Sequence, residues 1–176
     1  MVRGVLLVAG LLAVAFHVSA GPVTLPSLSL HDQEGRRLDL RELRGRVVVI
    51  VYGSRDRVDE HIGWGRRLEQ AMIAHGAYRA DDPAEDRPVR ILALAQMGGV
   101  PSGFRTIIRT VVRRHTPADF SLWLDWDDRM RAHFGDGGAV SSVVVADRAS
   151  RVRLVTTEPP NDTAVAHVVS VVLPLL

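Results

Sequence analysis

The sequence feature that most constrains the fold is the unbroken apolar run Val-Val-Val-Ile-Val-Tyr at residues 47–52. β-Branched residues favour strands, and a strand without polar alternation must be covered on both faces of its sheet. Residues 89–95 are predicted as a second buried strand, and residues 60–75 between them place Trp64 and Met72 on one helical stripe. This order favours an α/β domain with helices on both faces of the sheet.

The remainder of the chain continues the alternation of strands and helices. An N-terminal β-hairpin is predicted around residues 32–35, and a second hairpin around residues 147–150. The last segment is predicted as a helix capped by Asn161 or Asp162, although its valines also favour a strand. The further predicted elements are strands at 28–30, 38–40, 122–124, 143–145 and 151–155, and helices at 103–115 and before Gly135. Together they predict one domain with a central mixed β-sheet.

The predicted helix at 103–115 carries two stripes of opposite character. Its apolar stripe consists of Phe104, Ile107, Ile108, Val111 and Val112. Its basic stripe consists of Arg105, Arg109 and Arg113, which follow one another at intervals of four residues. We expect the apolar stripe to face the core and the basic stripe to face solvent, with a surface for an acidic partner as the alternative.

The first twenty residues have the pattern of a signal peptide. Arg3 precedes the twelve-residue apolar segment 5–16, and Val18-Ser19-Ala20 fits a small-residue cleavage site. As a helix, such a segment spans only about 20 Å of the roughly 30 Å hydrocarbon core of a membrane. We expect cleavage after Ala20 and a secreted or periplasmic protein without a stable membrane span; a retained anchor and a buried first helix are the alternatives.

Composition excludes several kinds of chemistry. The chain has no cysteine, and all 22 of its Lys+Arg residues are arginine, so thiol chemistry and lysine Schiff bases are excluded. A net charge of +2 does not indicate a nucleic-acid partner. The histidines are scattered singly, and the cluster of Asp125, Asp127 and Asp128 lacks the Gly and the distal Glu of a calcium loop. We expect no metal and no other cofactor.

Two segments resemble a known family. Residues 26–52, PSLSLHDQEGRRLDLRELRGRVVVIVY, are similar to the opening of secreted thioredoxin-like proteins of the redoxin and thiol–disulfide oxidoreductase type. Residues 120–154, FSLWLDWDDRMRAHFGDGGAVSSVVVADRASRVRL, are similar to the second half of the same family. The resemblance implies that residues 21–176 form a single thioredoxin-like domain, a three-layer sandwich with an N-terminal β-hairpin.

The residues that carry the family's chemistry are missing from this chain. The two positions of the family's Cys-x-x-Cys motif fall on Arg57 and Glu60, and the position of its cis-proline falls on Ser141. No peroxiredoxin-type Pro-x-x-x-Thr-x-x-Cys segment is present either. The resemblance therefore implies a degenerate, redox-inactive member. A cis bond before a non-proline residue costs about 3 kcal/mol, so we expect the Val140–Ser141 bond to be trans.

Two functions remain possible for what we call the former active-site edge, residues 55–57 with Glu60 and Ser141. In the first, the edge is a binding or accessory module, and the Arg55-Asp56-Arg57 cluster contacts a protein or small anion in the cell envelope. The cluster could instead be a mutually neutralising surface group. In the second, the domain is an enzyme with Glu60 as a base and Arg57 as an electrophile beside Ser141. No nucleophile is positioned, so we assign no catalytic residue and favour binding.

Overall fold

The computed structural model describes residues 23–135 and 140–176. The strands are β1 (Ser29–Asp32), β2 (Arg37–Asp39), β3 (Val47–Ser54), β4 (Val89–Gln96), β5 (Leu122–Asp125), β6 (Ser142–Ala146) and β7 (Val152–Thr157). The helices are α1 (Val58–Ala74), α2 (Arg105–His115), α3 (Arg129–Phe134) and α4 (Asp162–Val172). Short 3₁₀ turns span Leu40–Leu43, Arg55–Arg57, Ser102–Phe104 and Leu173–Leu175. The strands form one sheet in the order β2-β1-β5-β4-β3-β6-β7.

The predicted apolar run forms most of β3, close to the centre of the sheet. β3 pairs in parallel with β4 and antiparallel with β6, so the sheet is mixed as predicted. Seven of the eight β3 residues are buried, and only Ser54 at the end is exposed. The parallel pairing of β3, β4 and β5 places their carboxyl ends at one edge of the sheet, where parallel α/β sheets commonly carry their binding sites.

The two faces of β3 belong to two different apolar cores. Alternate residues, beginning with Val47, pack with Trp64 of α1 and Val168 of α4. The residues between them, beginning with Val48, pack with Met130 of α3 and with the N-terminal hairpin. The predicted layers, with helices on both faces and an N-terminal hairpin, are confirmed.

Helix α4 settles the competition between helix and strand in the valine-rich C-terminal segment. The side chain of Asn161 accepts a hydrogen bond from the Ala164 amide at 2.8 Å, which caps the first turn. Val165, Val168 and Val172 are buried on one face of the helix. Capping together with burial of one stripe outweighs the modest preference of valine for strands.

Helix α2 has the predicted position but the opposite orientation. Phe104, Ile107 and Val111 are 57%, 59% and 46% exposed, so the prediction that the apolar stripe faces the core is wrong for them. Only Ile108 and Val112 of that stripe pack against the core.

The observed orientation of α2 places its basic stripe beside acidic residues. Arg105 donates to Asp127 at 3.0 Å and lies over the ring of Trp126, and Arg113 lies 3.8 Å from Glu34. The basic stripe is therefore turned towards acidic side chains on neighbouring loops rather than towards solvent alone.

The predicted signal peptide, residues 1–20, lies outside the described residues. Within residues 23–135 and 140–176, none of the helices combines the length and apolar character needed to cross a membrane.

Two glycines inside α1 provide a matched test of packing. A Cβ on Gly63 would meet only Pro160, at an ordinary 3.9 Å, so Gly63→Ala is expected to raise the free energy of unfolding by about 0.5–1 kcal/mol. A Cβ on Gly65 would lie 2.8 Å from the Phe120 ring, so Gly65→Ala is expected to lower it by about 1–3 kcal/mol. Urea denaturation of both variants checks this; equal stabilisation would contradict the described packing.

Candidate functional site

The sheet topology brings the three positions of the former active-site edge together. β3 ends at Ser54, and the chain turns through one 3₁₀ turn into α1, so Arg57 is the N-cap of α1 and Glu60 lies in its first turn. β6 lies beside β3, with Ser142 opposite Tyr52. This pairing places Ser141, just before β6, next to the start of α1.

The Glu60 carboxylate joins these three positions. One of its oxygens accepts a hydrogen bond from the backbone amide of Ser141 at 2.7 Å. The other accepts from the Arg57 guanidinium at 3.1 Å. We call this arrangement the Glu60 clamp. The peptide bond between Val140 and Ser141 is trans, as expected, since the described residues contain no cis bond.

The clamp keeps Glu60 ionised. Partial burial raises the pKa of Glu60, but the hydrogen bonds from Ser141 and Arg57 outweigh it and hold that pKa below its ordinary value. A carboxylate in this state is a good acceptor and a weak base. The arrangement is therefore better suited to holding the Ser141 backbone and the Arg57 side chain in place than to abstracting a proton.

The remaining two residues of the edge project away from the clamp. Arg55 and Asp56 are both exposed, and Arg55 forms no ion pair with any described residue. The Ser54 hydroxyl accepts from the Asp56 amide at 3.4 Å, which caps the 3₁₀ turn between β3 and α1. Arg57 is paired with Glu60, which leaves the charges of Arg55 and Asp56 available to a partner.

His61 is the residue of this edge that sequence reasoning missed. It was one of the scattered single histidines, but its side chain is fully buried and neither ring nitrogen has a hydrogen-bond partner among the described residues. The ring packs against Gly53, where a Cβ would lie 2.9 Å from Nε2 and 3.6 Å from the Ser141 Cα. Burial lowers the pKa of His61 to about 4, so the ring is neutral at physiological pH. A histidine directly after Glu60, with a glycine next to the end of the buried strand, was the available signal.

Unsatisfied polar atoms concentrate beneath the edge. Of the seven buried side-chain nitrogens and oxygens without a hydrogen-bond partner in the described part of the chain, five belong to His61, Gln96, Asp125 and Ser141. Gln96 and Asp125 end β4 and β5 and lie opposite each other in register. Buried polar side chains are the informative departures from an otherwise apolar interior. The carboxyl edge of the sheet is therefore the candidate functional site.

The aspartates considered as a metal cluster serve three separate local purposes. Asp125 accepts from the Met130 amide at 2.9 Å, Asp127 pairs with Arg105, and Asp128 accepts from the Gly98 amide at 2.8 Å. Among residues 23–135 and 140–176, no three His, Asp or Glu side chains are grouped to hold a metal ion.

The layers, the hairpin and the helix that starts beside β3 define a thioredoxin-like fold. Solved structures with this fold include a putative thiol:disulfide interchange protein DsbE from Chlorobium tepidum, with a TM-score of 0.62 and 14% identity over 88% of this chain and 96% of that one. The pneumococcal exposed lipoprotein thioredoxin from Streptococcus pneumoniae gives 0.57 and 9% identity, over 82% and 98%. A putative protein disulfide isomerase from Bacteroides thetaiotaomicron gives 0.56 and 12%, over 88% and 91%.

Sequence comparisons add no relative to these structures. No protein-family model matches the chain, and no curated protein is significantly similar to it. At identities of 9–14% the structural likeness establishes the fold alone. The predicted likeness to thioredoxin-like proteins is confirmed at that level, in a chain that has no cysteine.

The Glu60 clamp predicts a specific dependence of stability on acid. Because the pKa of Glu60 is lowered on folding, its stabilisation is complete above the ordinary value of 4.5 and is lost as pH falls through the lowered value. Glu60→Gln keeps an oxygen for the Ser141 amide but removes the charge. At about pH 7 we expect this variant to be less stable than wild type by about 1 kcal/mol, allowing for solvent screening. The difference should close as pH falls below 4.5 and through the lowered pKa of Glu60.

Chemical denaturation of wild type and Glu60→Gln across this range checks the clamp. Glu60→Ala is the companion variant, because it removes the acceptor as well and should stay less stable than wild type even in acid. If the difference in free energy of unfolding between wild type and Glu60→Gln does not change with pH, the charge of Glu60 does not contribute to the clamp.

The buried ring of His61 predicts a second dependence of stability on pH, in a higher pH range than that of Glu60. A histidine whose pKa falls on folding stabilises the protein fully above its unfolded value of 6.5, and this stability is lost as pH falls towards about 4. His61→Leu removes the titrating group. The free energy of unfolding of this variant should therefore vary less with pH between about pH 4 and 6.5 than that of the wild-type protein. His75→Leu, at the exposed C-terminal cap of the same helix, is the control. An unchanged slope in His61→Leu would show that the ring is not buried in its neutral form.

Proposed function

We propose that this chain is an exported, redox-inactive thioredoxin-like domain that binds a protein or small anion in the cell envelope through the former active-site edge. The observation that carries the proposal is the Glu60 clamp. Its two hydrogen bonds occupy the positions at which related folds would carry their chemistry, and they fix the edge in one geometry.

Rigidity together with exposed charge supports binding. The clamp ties the first turn of α1 to the segment before β6, so a partner does not have to order this surface on binding. Arg55 and Asp56 stand exposed beside it with opposite charges. Opposite charges on an ordered surface give orientation and specificity more than raw affinity.

The proposed location outside the cytoplasm has two supports. The pattern of residues 1–20 is that of a signal peptide. Among proteins with the same fold are a secreted thiol-disulfide isomerase from Corynebacterium glutamicum and the exposed pneumococcal lipoprotein. Proteins of this fold thus occur outside the cytoplasm, which is the location proposed here.

The alternative, an enzyme that uses Arg57, Glu60 and Ser141, receives less support. A general base needs a pKa near the working pH, whereas the pKa of Glu60 is lowered. A nucleophilic serine needs an activating base, and the carboxylate beside Ser141 is that of Glu60, whose lowered pKa makes it a weak base. The exposed charges of the edge favour recognition over this chemistry.

Site-specific photo-crosslinking tests the binding function. A photoreactive amino acid replaces Arg55 in the full chain, expressed in its own host, and the matched control replaces the exposed Arg79 beyond the far end of α1. We expect a discrete adduct from position 55 that is absent from position 79 and at least tenfold weaker when Asp56→Arg is added. The same adducts from both positions, or no adduct from position 55, would overturn the proposal.

A further inference from the structure

A groove lined by arginines lies at the opposite end of the sheet from the former active-site edge. Arg90 is the second residue of β4, whereas Gln96, at the edge already described, is the last. The groove encloses about 400 Å³, which is within the usual range for small-ligand sites. We call it the arginine groove; its lining includes Arg36, Arg37, Arg46, Arg90, Leu43 and Trp123.

Arg90 is the unusual residue of the groove. Its guanidinium is half-buried, its Nε is fully buried, and its side chain has neither a hydrogen bond nor an ion pair with any described residue. Burial, followed by the positive charges of Arg46 and Arg87, lowers the pKa of Arg90. A half-buried cation among other cations is unfavourable unless an anion compensates it.

None of the other charged residues around the groove forms an ion pair with Arg90, and they offset its charge only in part. Arg46 is half-buried and, among the described residues, also has no ion pair. Arg36 pairs with Asp32 and donates a hydrogen bond to the Ser121 hydroxyl. The second oxygen of the Asp32 carboxylate accepts from the backbone amides of Glu34 and Arg36. The two glutamates of the lining, Glu42 and Glu85, are exposed and form no ion pair within the described residues, although the charge of Glu85 acts favourably on Arg90.

The remaining lining is apolar. Leu38, Leu43 and Trp123 are buried side chains that border the groove. A guanidinium presents its donors in a planar fork that matches a carboxylate or a phosphate. The combination of an indole with two guanidinium groups that have no ion pair among the described residues suits a molecule that has an anionic head and an apolar body.

We infer that the arginine groove binds an organic oxyanion, with Arg46 and Arg90 on its carboxylate or phosphate group and Trp123 against its apolar part. This site is separate from the proposed binding edge, so either can fail without the other. Binding to the folded chain alone raises the melting temperature according to ligand concentration and affinity. Because its half-buried charge has no ion pair among the described residues, Arg90 is expected to lower the free energy of unfolding when no anion is bound.

Thermal unfolding of the full chain tests the inference. The probes are phenyl phosphate, benzoate and inorganic phosphate, each compared with chloride at one pH and one ionic strength. We expect phenyl phosphate or benzoate to raise the Tm by about 2–4 °C near saturation, with a smaller rise for inorganic phosphate. The larger of the two organic effects identifies the preferred head group. Equal Tm values in all four salts would overturn the inference.

Matched variants assign the effect to the groove. Arg90→Met keeps an aliphatic chain but removes the charge, so it should raise the Tm in chloride and abolish the response to the probes. Arg46→Gln should reduce the response severalfold. Arg114→Met removes an exposed arginine of α2 and should leave the response unchanged. A response that survives in Arg90→Met, or that is lost in Arg114→Met, would show that the anions act elsewhere.

Discussion

The hydrogen bond from the Ser141 amide to the Glu60 carboxylate ties together the two segments that β3–β6 pairing brings to the carboxyl edge of the sheet. It joins residues 81 positions apart in sequence, one in the first turn of α1 and one just before β6. Because Arg57 binds the second carboxylate oxygen, Arg57, Glu60 and Ser141 form a single ionic contact. In this thioredoxin-like fold, a charged clamp therefore lies between the start of α1 and the segment before β6.

What lies beneath the clamp differs from the rest of the interior. The cores on both faces of β3 are built from aliphatic and aromatic side chains, whereas the carboxyl edge buries His61, Gln96, Asp125 and Ser141 with unpartnered polar atoms. Fold stability alone would favour apolar residues at these positions. Their retention marks the edge as the place where this chain departs from the demands of packing, which is the expected signature of function.

Periodicity and β-branched runs were sufficient to predict the strand at 47–52, the helix that follows it and the helical C-terminal segment, because local pattern and burial agree there. The positions Arg57, Glu60 and Ser141 came from the family resemblance, but their mutual contact depends on β3–β6 pairing, which no local pattern encodes. For α2, periodicity located an apolar and a basic stripe but did not predict which of them faces the core. In the folded chain the basic stripe contacts Glu34 and Asp127, which lie outside α2.

The central claim, that a charged Glu60 holds the Ser141 amide, is tested most directly by NMR of that amide. The account predicts that the Ser141 amide exchanges slowly with solvent in the wild-type protein and that its chemical shift titrates with an apparent pKa below 4.5. It further predicts that Glu60→Ala accelerates this exchange at least tenfold while β3 amides stay protected. A Ser141 amide that exchanges as fast in wild type as in Glu60→Ala, with no titration, would contradict the account.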